Sequence, residues 1–383
     1  MNATKSENPV KTLVILLNMG GPQNKDEVHP YLKELFQDRE ILKLPFQKIL
    51  GRYIAWRRTP NIQERYEEIG QYSPTKRIMD DQSAEIAQKL DHIHPQSAPH
   101  ICVSGFRYCS PRTSEMIEQY NSAEKIILFS QYPQHSCSTS GSSFCDAYRW
   151  LEKQKDEDYK NRISVIDQWW DRSDYTELWA MLVKRKFDEM KSSTGLGDKD
   201  IRIIYSAHSL PESYCTEKGD KYNEEIQGSF ERIENVLHSL GLEHEGALAW
   251  QSKVGPQRTK WLTPSTPDVI AETTQKAILM VPIAFTTDHI ETLDEIDIEF
   301  RGYAEEVVDH FERVDCFNLE EKFIDLCTRL IIEHIEKGYH SAIRPCCLNC
   351  EGNDCAAMRQ YFGSKPVSQR ELLEKSPAEP VSV

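Results

Sequence analysis

The sequence predicts an α/β fold of two Rossmann-like, doubly wound domains with parallel sheets, followed by a C-terminal cysteine-bearing extension. Apolar, β-branched runs of strand length recur along the chain, and amphipathic helical stretches separate them. Continuously apolar strands are typical of parallel sheets that are covered on both faces. At 383 residues, the chain also exceeds what one hydrophobic core usually organises.

The strand and helix patterns alternate, which predicts βαβ units in tandem. The predicted strands are residues 13–17, 101–106, 125–129, 163–166, 201–205 and 278–282. The predicted helices include residues 80–90, 176–190, 224–240 and 319–337. We expect a disordered N-terminus (1–11), a first domain (12–115 with 305–340), a second domain (116–304) and a C-terminal extension (341–383).

Composition and charge exclude several classes of protein. Hydrophobic residues make up 39% of the chain and charged residues 28%, as in globular proteins, and the net charge of −15 argues against a nucleic-acid binder. No apolar run reaches the roughly 18 residues of a membrane-spanning helix, so any membrane attachment is expected to be peripheral. Residues 1–11 lack a targeting pattern, so we expect a presequence to be missing or already removed.

The first strand is followed by Gly20, Gly21 and Pro22. The segment lacks the glycine spacing of a dinucleotide loop and the Gly-Lys-Ser/Thr ending of a P-loop, so nucleotide binding is disfavoured. We instead expect the glycines to allow a sharp turn and Pro22 to lie in the first turn of a helix.

A histidine follows a buried-strand pattern at residues 201–205. His208 is therefore expected at the carboxyl end of a parallel strand, where open α/β sheets form ligand crevices. A histidine there can exchange protons near neutral pH. A histidine satisfied by hydrogen bonds within its loop is an equally good interpretation of the residue alone.

Glu291, Glu295 and Glu299 recur every four residues after another predicted strand. On a helix they form a nearly straight acidic line. The alternative is a capping arrangement, in which Asp288 is the N-cap, Glu291 reaches back to it and the other acids face solvent.

Several linked motifs resemble the ferrochelatases. They are Ser206-Ala207-His208-Ser209-Leu210-Pro211, Trp250-Gln251-Ser252-Lys253-Val254-Gly255-Pro256, residues 284–293, residues 17–22, residues 105–108 and residues 132–143. They occur in the family's order and cover roughly residues 12 to 355. The resemblance implies two Rossmann-like halves with a porphyrin in the cleft between them.

The resemblance also implies an activity: insertion of ferrous iron into protoporphyrin IX to give protohaem. The histidine matching His208 takes part in abstracting pyrrole protons, and the acid matching Glu291 helps with proton or metal transfer, with Glu295 and Glu299 further along a metal path. The chemistry agrees, because two N–H protons must leave the macrocycle before iron can enter it.

Further positions match the family's substrate pocket. Met19, Arg107 and Tyr108 match its opposite face, where metal delivery has also been proposed, and both routes stay open. Arg58, Tyr66 and Ser73 match residues that hold the porphyrin propionates. The remaining matches are Tyr132, Ser138, Trp169, Trp250, Phe285 and His289.

Residues 41–58 interleave large apolar side chains with five cations and contain no acid. Such a basic amphipathic stretch is typical of contact with an anionic membrane surface, although by periodicity an ordinary core helix is as good an interpretation. The resemblance favours the first, because this segment is the family's membrane-associated lip over the pocket.

Cys347, Cys350 and Cys355 have a compact spacing that suits a metal, and zinc is the default for soft ligands. The resemblance changes this assignment. Cys137 matches the distant fourth cysteine of the ferrochelatases that carry a two-iron two-sulfur cluster.

Two rival functions stay open at this stage: another tetrapyrrole chelatase, such as one inserting cobalt, and a non-catalytic haem or iron–sulfur carrier. A carrier needs no proton-accepting pair. The resemblance further implies a homodimer that binds no nucleic acid and attaches peripherally to the matrix side of the mitochondrial inner membrane.

Overall fold

The computed structural model describes residues 10–154, 157–253, 258–341, 343 and 353–363. Within them the strands form two four-stranded sheets in which every paired strand is parallel. This is the predicted fold class. The N-terminal residues 1–9, which fall in the segment predicted to be disordered, lie outside the described part.

The first sheet has the strand order β2-β1-β3-β4. Its strands are β1 (Thr12–Asn18), β2 (His100–Phe106), β3 (Lys125–Ser130) and β4 (Ile163–Ile166). All seven residues of β1 are buried, because β1 lies between β2 and β3 and helices cover both faces. This explains its continuously apolar sequence.

The second sheet has the order β6-β5-β7-β8. Its strands are β5 (Ile201–His208), β6 (Glu245–Gln251), β7 (Ala277–Val281) and β8 (His310–Arg313). The predicted strands omitted β6 and β8. Both are edge strands that begin with an exposed polar residue; β6 contains no β-branched residue, and β8 has one apolar residue among its four, so neither shows the apolar, β-branched pattern.

Strand pairing divides the chain differently from the predicted domain ranges. β3 and β4 fall in the range 116–304 that was assigned to the second domain, yet they pair in the first sheet. β8 falls in the range 305–340 of the first domain, yet it pairs with β7. Strands hydrogen-bond to whichever neighbour their crossover helix brings alongside, which motif positions alone do not specify.

Helices surround the sheets. Those before β5 are α1 (Lys25–Gln37), α2 (Gln47–Glu68), α3 (Thr75–Ile93), α4 (Thr113–Gln119), a short π-helix (Cys137–Gly141) that continues into α5 (Ser142–Gln154), α6 (Glu157–Arg162) and α7 (Ser173–Thr194). Those after it are α8 (Glu212–Thr216), α9 (Tyr222–Ser239), α10 (Thr266–Ala271), a π-helix (Glu291–Phe300), α11 (Arg301–Glu305), α12 (Glu321–Glu336) and α13 (Asn353–Phe362). Short 3-10 turns occupy Pro95–Ser97 and Asp198–Asp200.

One hydrophobic cluster joins the two sheets. It contains Val14 and Phe129 of the first sheet, Ile203 and Leu279 of the second, and the buried faces of α3, α7 and α12. Helix α12 packs against α3 and α7. The two sheets therefore share a core, which fixes the carboxyl ends of β1 and β5 relative to each other.

The turn after β1 agrees with the predicted turn but not with the predicted helix start. Gly20 has a φ of +80°, which glycine adopts without steric cost. Helix α1 begins only at Lys25, and the side chain of Asn24 caps it by accepting from the backbone N–H groups of Asp26 and Glu27. Pro22 therefore lies in the turn, not in the first helical turn.

Across the described part of the chain, no helix combines the length and apolar character needed to cross a bilayer.

Candidate active site

The parallel strands of the second sheet end at one edge, where the site is built. His208 is the last residue of β5 and lies in register with Gln251, the last residue of β6. The π-helix that follows β7 begins at Glu291. The ends of β5 and β6 and the π-helix after β7 thus bring a histidine, an amide and a carboxylate together. This is the topological position where α/β sheets bind ligands.

His208 and Glu291 are in direct contact. Nδ1 of His208 lies 2.8 Å from Oε2 of Glu291, and both side chains are partly buried. When Nδ1–H donates to this carboxylate, Nε2 is the ring nitrogen left to face a ligand. The alternative interpretations, a histidine satisfied within its own loop and a glutamate in a capping box, are both wrong.

The predicted N-cap, Asp288, has a different partner set. Its carboxylate accepts hydrogen bonds from Arg313 (3.0 Å) and from the side chains of Asn318 (2.6 Å) and Thr292 (3.0 Å). Asp288 is therefore a buried anchor for the segment that carries Glu291. Burial opposes ionisation, but the Arg313 charge and these hydrogen bonds lower its pKa.

A second carboxylate, Glu295, lies beside the first. Ser252 joins the two: its backbone N–H donates to Oε1 of Glu295 (2.8 Å), and its hydroxyl donates to Glu291 (3.1 Å) and to Glu295. Gln251 Nε2 also donates to Glu295 (3.1 Å). Ser252 has a φ of +61°, an uncommon backbone conformation for a residue with a side chain, and it aims both of its donors at the acids.

The charges in this group are strongly coupled. Burial alone raises the pKa of Glu291, but the charge and hydrogen bond of His208 lower it to about 2. Burial lowers the pKa of His208, yet the same contact with Glu291 raises it overall. Burial and the nearby Glu291 charge raise the pKa of Glu295 to about 7. Near neutral pH, the ionised Glu291 therefore lies between a histidine whose pKa it raises and an acid, Glu295, that is about half protonated.

Glu299 lies further along the same π-helix. Arg65 of α2 forms ion pairs with Glu299 (2.8 Å) and with the buried Asp294, and Tyr303 donates to Glu299 (3.1 Å). The side chain of Glu299 is 41% exposed. The acidic line therefore runs from the partly buried pair to the surface, as the four-residue spacing predicts, but on a π-helix.

The segments that follow β1, β2 and β3 carry residues predicted to line the opposite face of the pocket. The backbone N–H of Met19 donates to the hydroxyl of Tyr132 (2.9 Å). Arg107 and Tyr108 both contact Asp38, at 2.8 and 2.6 Å. Burial raises the pKa of Asp38, but its hydrogen bond with Glu40 and the Arg107 charge lower it. Asp38 therefore holds Arg107 and Tyr108 in place as an ionised anchor.

The charge of Glu291 acts on four tyrosines from different elements. Burial raises the pKa of Tyr31, Tyr66, Tyr132 and Tyr222, and the negative charge of Glu291 raises each of them further. Ile290, next to Glu291, packs against the hydrophobic cluster that includes Tyr66 and the neighbouring Tyr31. Helices α1 and α2 therefore contact the segment that carries Glu291.

Helix α2 and the segment after it carry the three predicted propionate ligands. Tyr66 is buried and stacks on Tyr72, with ring centroids 5.4 Å apart. Ser73 is buried and donates to Thr75 (3.0 Å). Arg58 is half buried over the ring of Phe36, and no carboxylate pairs with it in the described part of the chain. Burial and the neighbouring Arg65 lower its pKa.

The predicted pocket aromatics separate into two groups. Phe285 packs edge-on against His289 with centroids 4.6 Å apart, and Trp250 lies 6.1 Å from Tyr222. Burial lowers the pKa of His289 despite the nearby Glu291. Trp169 is 1% exposed and lies within the core, where its indole donates to the Ser130 carbonyl (3.0 Å) and its ring meets Phe129, Tyr175 and Phe323.

The predicted cysteine ligands are only partly within the described residues. Cys137 is buried at the start of the short π-helix before α5, and the neighbouring Ser138 hydroxyl lies 3.5 Å from the Glu40 carbonyl. Cys355 is buried on α13, which packs on α5. Its Sγ lies 3.6 Å from Sγ of Cys145. Cys347 and Cys350 fall outside the described residues.

Comparison with known proteins identifies the family. Residues 11–335 match the ferrochelatase family. The mitochondrial ferrochelatase of Gallus gallus is 39% identical over 361 residues, which cover 92% of this chain and 87% of the relative. That of Drosophila melanogaster is 36% identical over 364 residues, which cover 92% of this chain and 91% of the relative. That of Homo sapiens is 37% identical over 364 residues, which cover 93% of this chain and 84% of the relative.

The chain belongs to the ferrochelatase family. It is therefore an enzyme that inserts ferrous iron into protoporphyrin IX to give protohaem, the terminal step of haem biosynthesis, as the motifs predict. The cobalt-chelatase and carrier alternatives are not supported.

Several residues of this ferrochelatase site were not predicted from the sequence. Gln251 and Ser252 lie in a motif that resembles the family, but no role was assigned to them. Asp38 and Arg65 contact the site through α1 and α2 and carry no local signal, since an acid or an arginine near a helix end is common on any surface.

Proposed function

We propose that His208 is the base that accepts pyrrole protons and that Glu291 holds it for this task. The observation that carries the proposal is the 2.8 Å contact between Nδ1 of His208 and the Glu291 carboxylate. Neutral His208 takes a proton at Nε2 as a pyrrole N–H bond breaks, and Glu291 stabilises the resulting imidazolium. Fe²⁺ then replaces the protons on the macrocycle.

The acidic line of Glu291, Glu295 and Glu299 provides a path by which the protons leave the site. Glu295 has a pKa of about 7 because of burial and the Glu291 charge, so it takes up or releases a proton at little cost near neutral pH. Its contacts with Ser252 join it to Glu291, and Glu299 is one turn further towards solvent. We propose that Glu295 and Glu299 carry protons or iron between the pair and the surface.

We further propose that Arg58, Tyr66 and Ser73 receive the propionates. A half-buried arginine that no described carboxylate neutralises favours an anionic ligand, because the guanidinium stays charged at any physiological pH. The remaining pocket residues are proposed to line the macrocycle: Met19, Arg107, Tyr108, Tyr132, Ser138, Trp250, Phe285 and His289. The fully buried Trp169 supports the pocket from behind, through its contact with the Ser130 carbonyl.

Residues 41–58 are proposed to attach the enzyme to the mitochondrial inner membrane on its matrix side. Phe46, Ile49, Tyr53 and Trp56 are exposed by 81, 70, 52 and 66%. Ile49, Tyr53 and Trp56 follow helical spacing, so they form one apolar stripe on α2. Exposed apolar area bordered by cations is what interfacial helices present to anionic lipid. A mitochondrial location also fits the names of the relatives.

A two-iron two-sulfur cluster is proposed to be held by Cys137, Cys347, Cys350 and Cys355. The packing of α13 against α5 supports it, because α13 carries Cys355 and α5 continues directly from the Cys137 segment. Four thiolates are the usual ligands of such a cluster. When bound, the cluster supplies a covalent link between the extension and the first sheet. We also propose a homodimer, to be checked by analytical ultracentrifugation.

An anaerobic steady-state assay with protoporphyrin IX and Fe²⁺ tests the catalytic proposal. Wild-type protein should form protohaem, and the Glu291→Gln variant should bind porphyrin but turn over far more slowly. Glu305→Gln, which alters an exposed acid on α11, serves as the control. Equal turnover in Glu291→Gln and Glu305→Gln would refute the role of the pair.

A further inference from the structure

One carboxylate and two imidazoles meet at the end of the second sheet opposite to His208. Glu234 and His238 lie four residues apart on α9, and His244 directly precedes β6. Their ligand atoms all lie within 4.8 Å of one another. The strand β6 separates this cluster from Gln251 at the active site by about 20 Å, so the two sites are distinct.

The spacing of the three groups suits a tetrahedral cation. Nε2 of His244 lies 3.0 and 3.1 Å from the two carboxylate oxygens of Glu234, and Nε2 of His238 lies 3.8 Å from the nearer one. Ligand atoms at the ordinary Zn²⁺ bond lengths lie about 3.3 Å apart in a tetrahedral site. The observed distances fall on both sides of that value, so a cation needs only side-chain adjustments to bind.

Other contacts already orient two of the three groups, His238 and Glu234, for metal binding. The ring of His238 donates through Nδ1–H to the Leu242 carbonyl (3.2 Å), which leaves the Nε2 lone pair directed at Glu234. The hydroxyl of Tyr205 donates to Glu234 (2.7 Å). Hydrogen bonds of this kind fix the tautomer and orientation of metal-binding histidines and carboxylates. The two imidazoles also stack, with centroids 5.0 Å apart.

The cluster is closed on one side and open on the other. The side chains of His244 and Glu234 are 0 and 11% exposed, whereas His238 is 53% exposed. Gly246 makes room for the carboxylate, because a Cβ there would lie 2.0 Å from it. Two buried ligands with an open third side provide a rigid site that an ion can enter from solvent.

We propose that Glu234, His238 and His244 bind one Zn²⁺, with water in the fourth position. On binding, Zn²⁺ takes the Nε2 lone pair of His244, and the ring proton that Nε2 shares with Glu234 moves to Nδ1 by exchange with solvent, so the imidazole binds without becoming an imidazolate. Imidazole and carboxylate are common zinc ligands, and three protein ligands with one open position is a recurrent arrangement. The ion ties the last turns of α9 to the start of β6, independently of the porphyrin chemistry.

Zinc uptake by the full-length, chelator-stripped protein tests this site. Equilibrium dialysis and calorimetry with Zn²⁺ alone should show that wild type binds one more equivalent than His238→Ala, or binds that equivalent at least about 10- to 100-fold more tightly. Zn²⁺ can also occupy the iron substrate site and the cysteines. The test therefore compares the amount and affinity of bound zinc between wild type and His238→Ala. His92→Ala, which removes an exposed histidine at the end of α3, should behave as wild type.

Thermal unfolding provides a second measurement. Zn²⁺ should raise the melting temperature of wild type and of His92→Ala by more than that of His238→Ala, because an ion bound only to the folded state stabilises it. In zinc-free buffer, His238→Ala should insert iron at the wild-type rate, which separates this proposal from the role of His208. Equal zinc stoichiometry and affinity in wild type and His238→Ala would overturn it.

Discussion

Nδ1 of His208 lies 2.8 Å from Oε2 of Glu291, and this contact joins the end of β5 to the start of a π-helix 83 residues later. It pairs the proposed base with a carboxylate whose charge raises the pKa of the histidine. The next residue in the network, Glu295, is linked to Glu291 through Ser252. Proton transfer from a buried macrocycle requires such a connected set of titratable groups.

Replacing His208 by Ala should lower the rate of iron insertion by about 100- to 10,000-fold, the usual contribution of a positioned base. Porphyrin binding, measured by fluorescence quenching, should persist, since the pocket walls come from other elements. His92→Ala is the matched control. Wild-type turnover in His208→Ala would refute the assignment.

The pH dependence of turnover should follow the His208–Glu291 contact. Only neutral His208 accepts a proton, and Glu291 raises its pKa despite burial, so kcat/KM should rise with pH through a value above the ordinary 6.5 of histidine. Glu291→Gln removes the charge that raises this pKa. The rising limb of the profile should then move to lower pH, while Glu305→Gln leaves it in place. An unchanged limb in Glu291→Gln would contradict the coupling.

Stability should respond to Glu295 in the opposite sense to an ordinary surface acid. Burial and Glu291 raise its folded pKa to about 7 from 4.5, so its contribution is most favourable below pH 4.5 and is lost as pH rises through 7. Glu295→Gln imitates the protonated acid. The difference in melting temperature between Glu295→Gln and wild type (variant minus wild type) should be larger at pH 8 than at pH 5, by at least about 2 °C. A pH-independent difference would count against the coupling.

The apolar stripe of α2 should govern membrane binding. Changing Phe46, Ile49 and Trp56 to Ser removes exposed apolar area and should weaken co-sedimentation with anionic liposomes several-fold, because buried apolar area drives interfacial attachment.

The control for the stripe is a triple Ser variant at Leu240, Val307 and Leu319, which are exposed elsewhere on the surface. Those substitutions remove apolar side chains away from the cationic segment, so liposome binding should persist. If both triple variants bind equally well, residues 41–58 are not the attachment site.

Arg58→Ala should raise the KM for protoporphyrin by about tenfold and change the melting temperature little, because no described carboxylate loses a partner. Arg57→Ala, one residue away and exposed, is the control. A porphyrin dimethyl ester has no propionate charge, so wild type and Arg58→Ala should bind it alike. If wild type and Arg58→Ala bind the ester differently, Arg58 does not act through the propionate charges.

The proposed cluster predicts a linked loss of colour and stability. Cys355→Ser should bleach the visible charge-transfer bands and lower the melting temperature, since a site formed only in the folded state adds its binding energy to stability. Cys215→Ser, a partly exposed cysteine on α8, should do neither. Stoichiometric zinc without iron or labile sulfide in fresh protein would overturn the cluster.

The sequence by itself determined the fold class and the positions of most buried strands, and it predicted His208 at the end of one of them and Glu291 and Glu295 after another. Buried parallel strands carry a continuous apolar signal, and motif residues follow their ends directly. The edge strands β6 and β8 lack the β-branched residues of the other strands, and β8 is mostly polar. The pairing of β3 with β1, and of β4 with β3, also depends on which neighbours the crossovers bring together, so motif positions did not reveal which sheet each strand joins.

Only the tertiary structure decided how the site works. The direct His208–Glu291 contact, the positive φ of Ser252, the anchoring of Arg107 by Asp38 and the burial of Trp169 all depend on residues distant in sequence. The cluster of Glu234, His238 and His244 also depends on the tertiary structure. His244 contacts the other two only because β6 packs beside α9. Local sequence specifies which groups are available, whereas the shared core of the two sheets fixes the distances between them and therefore their charge states.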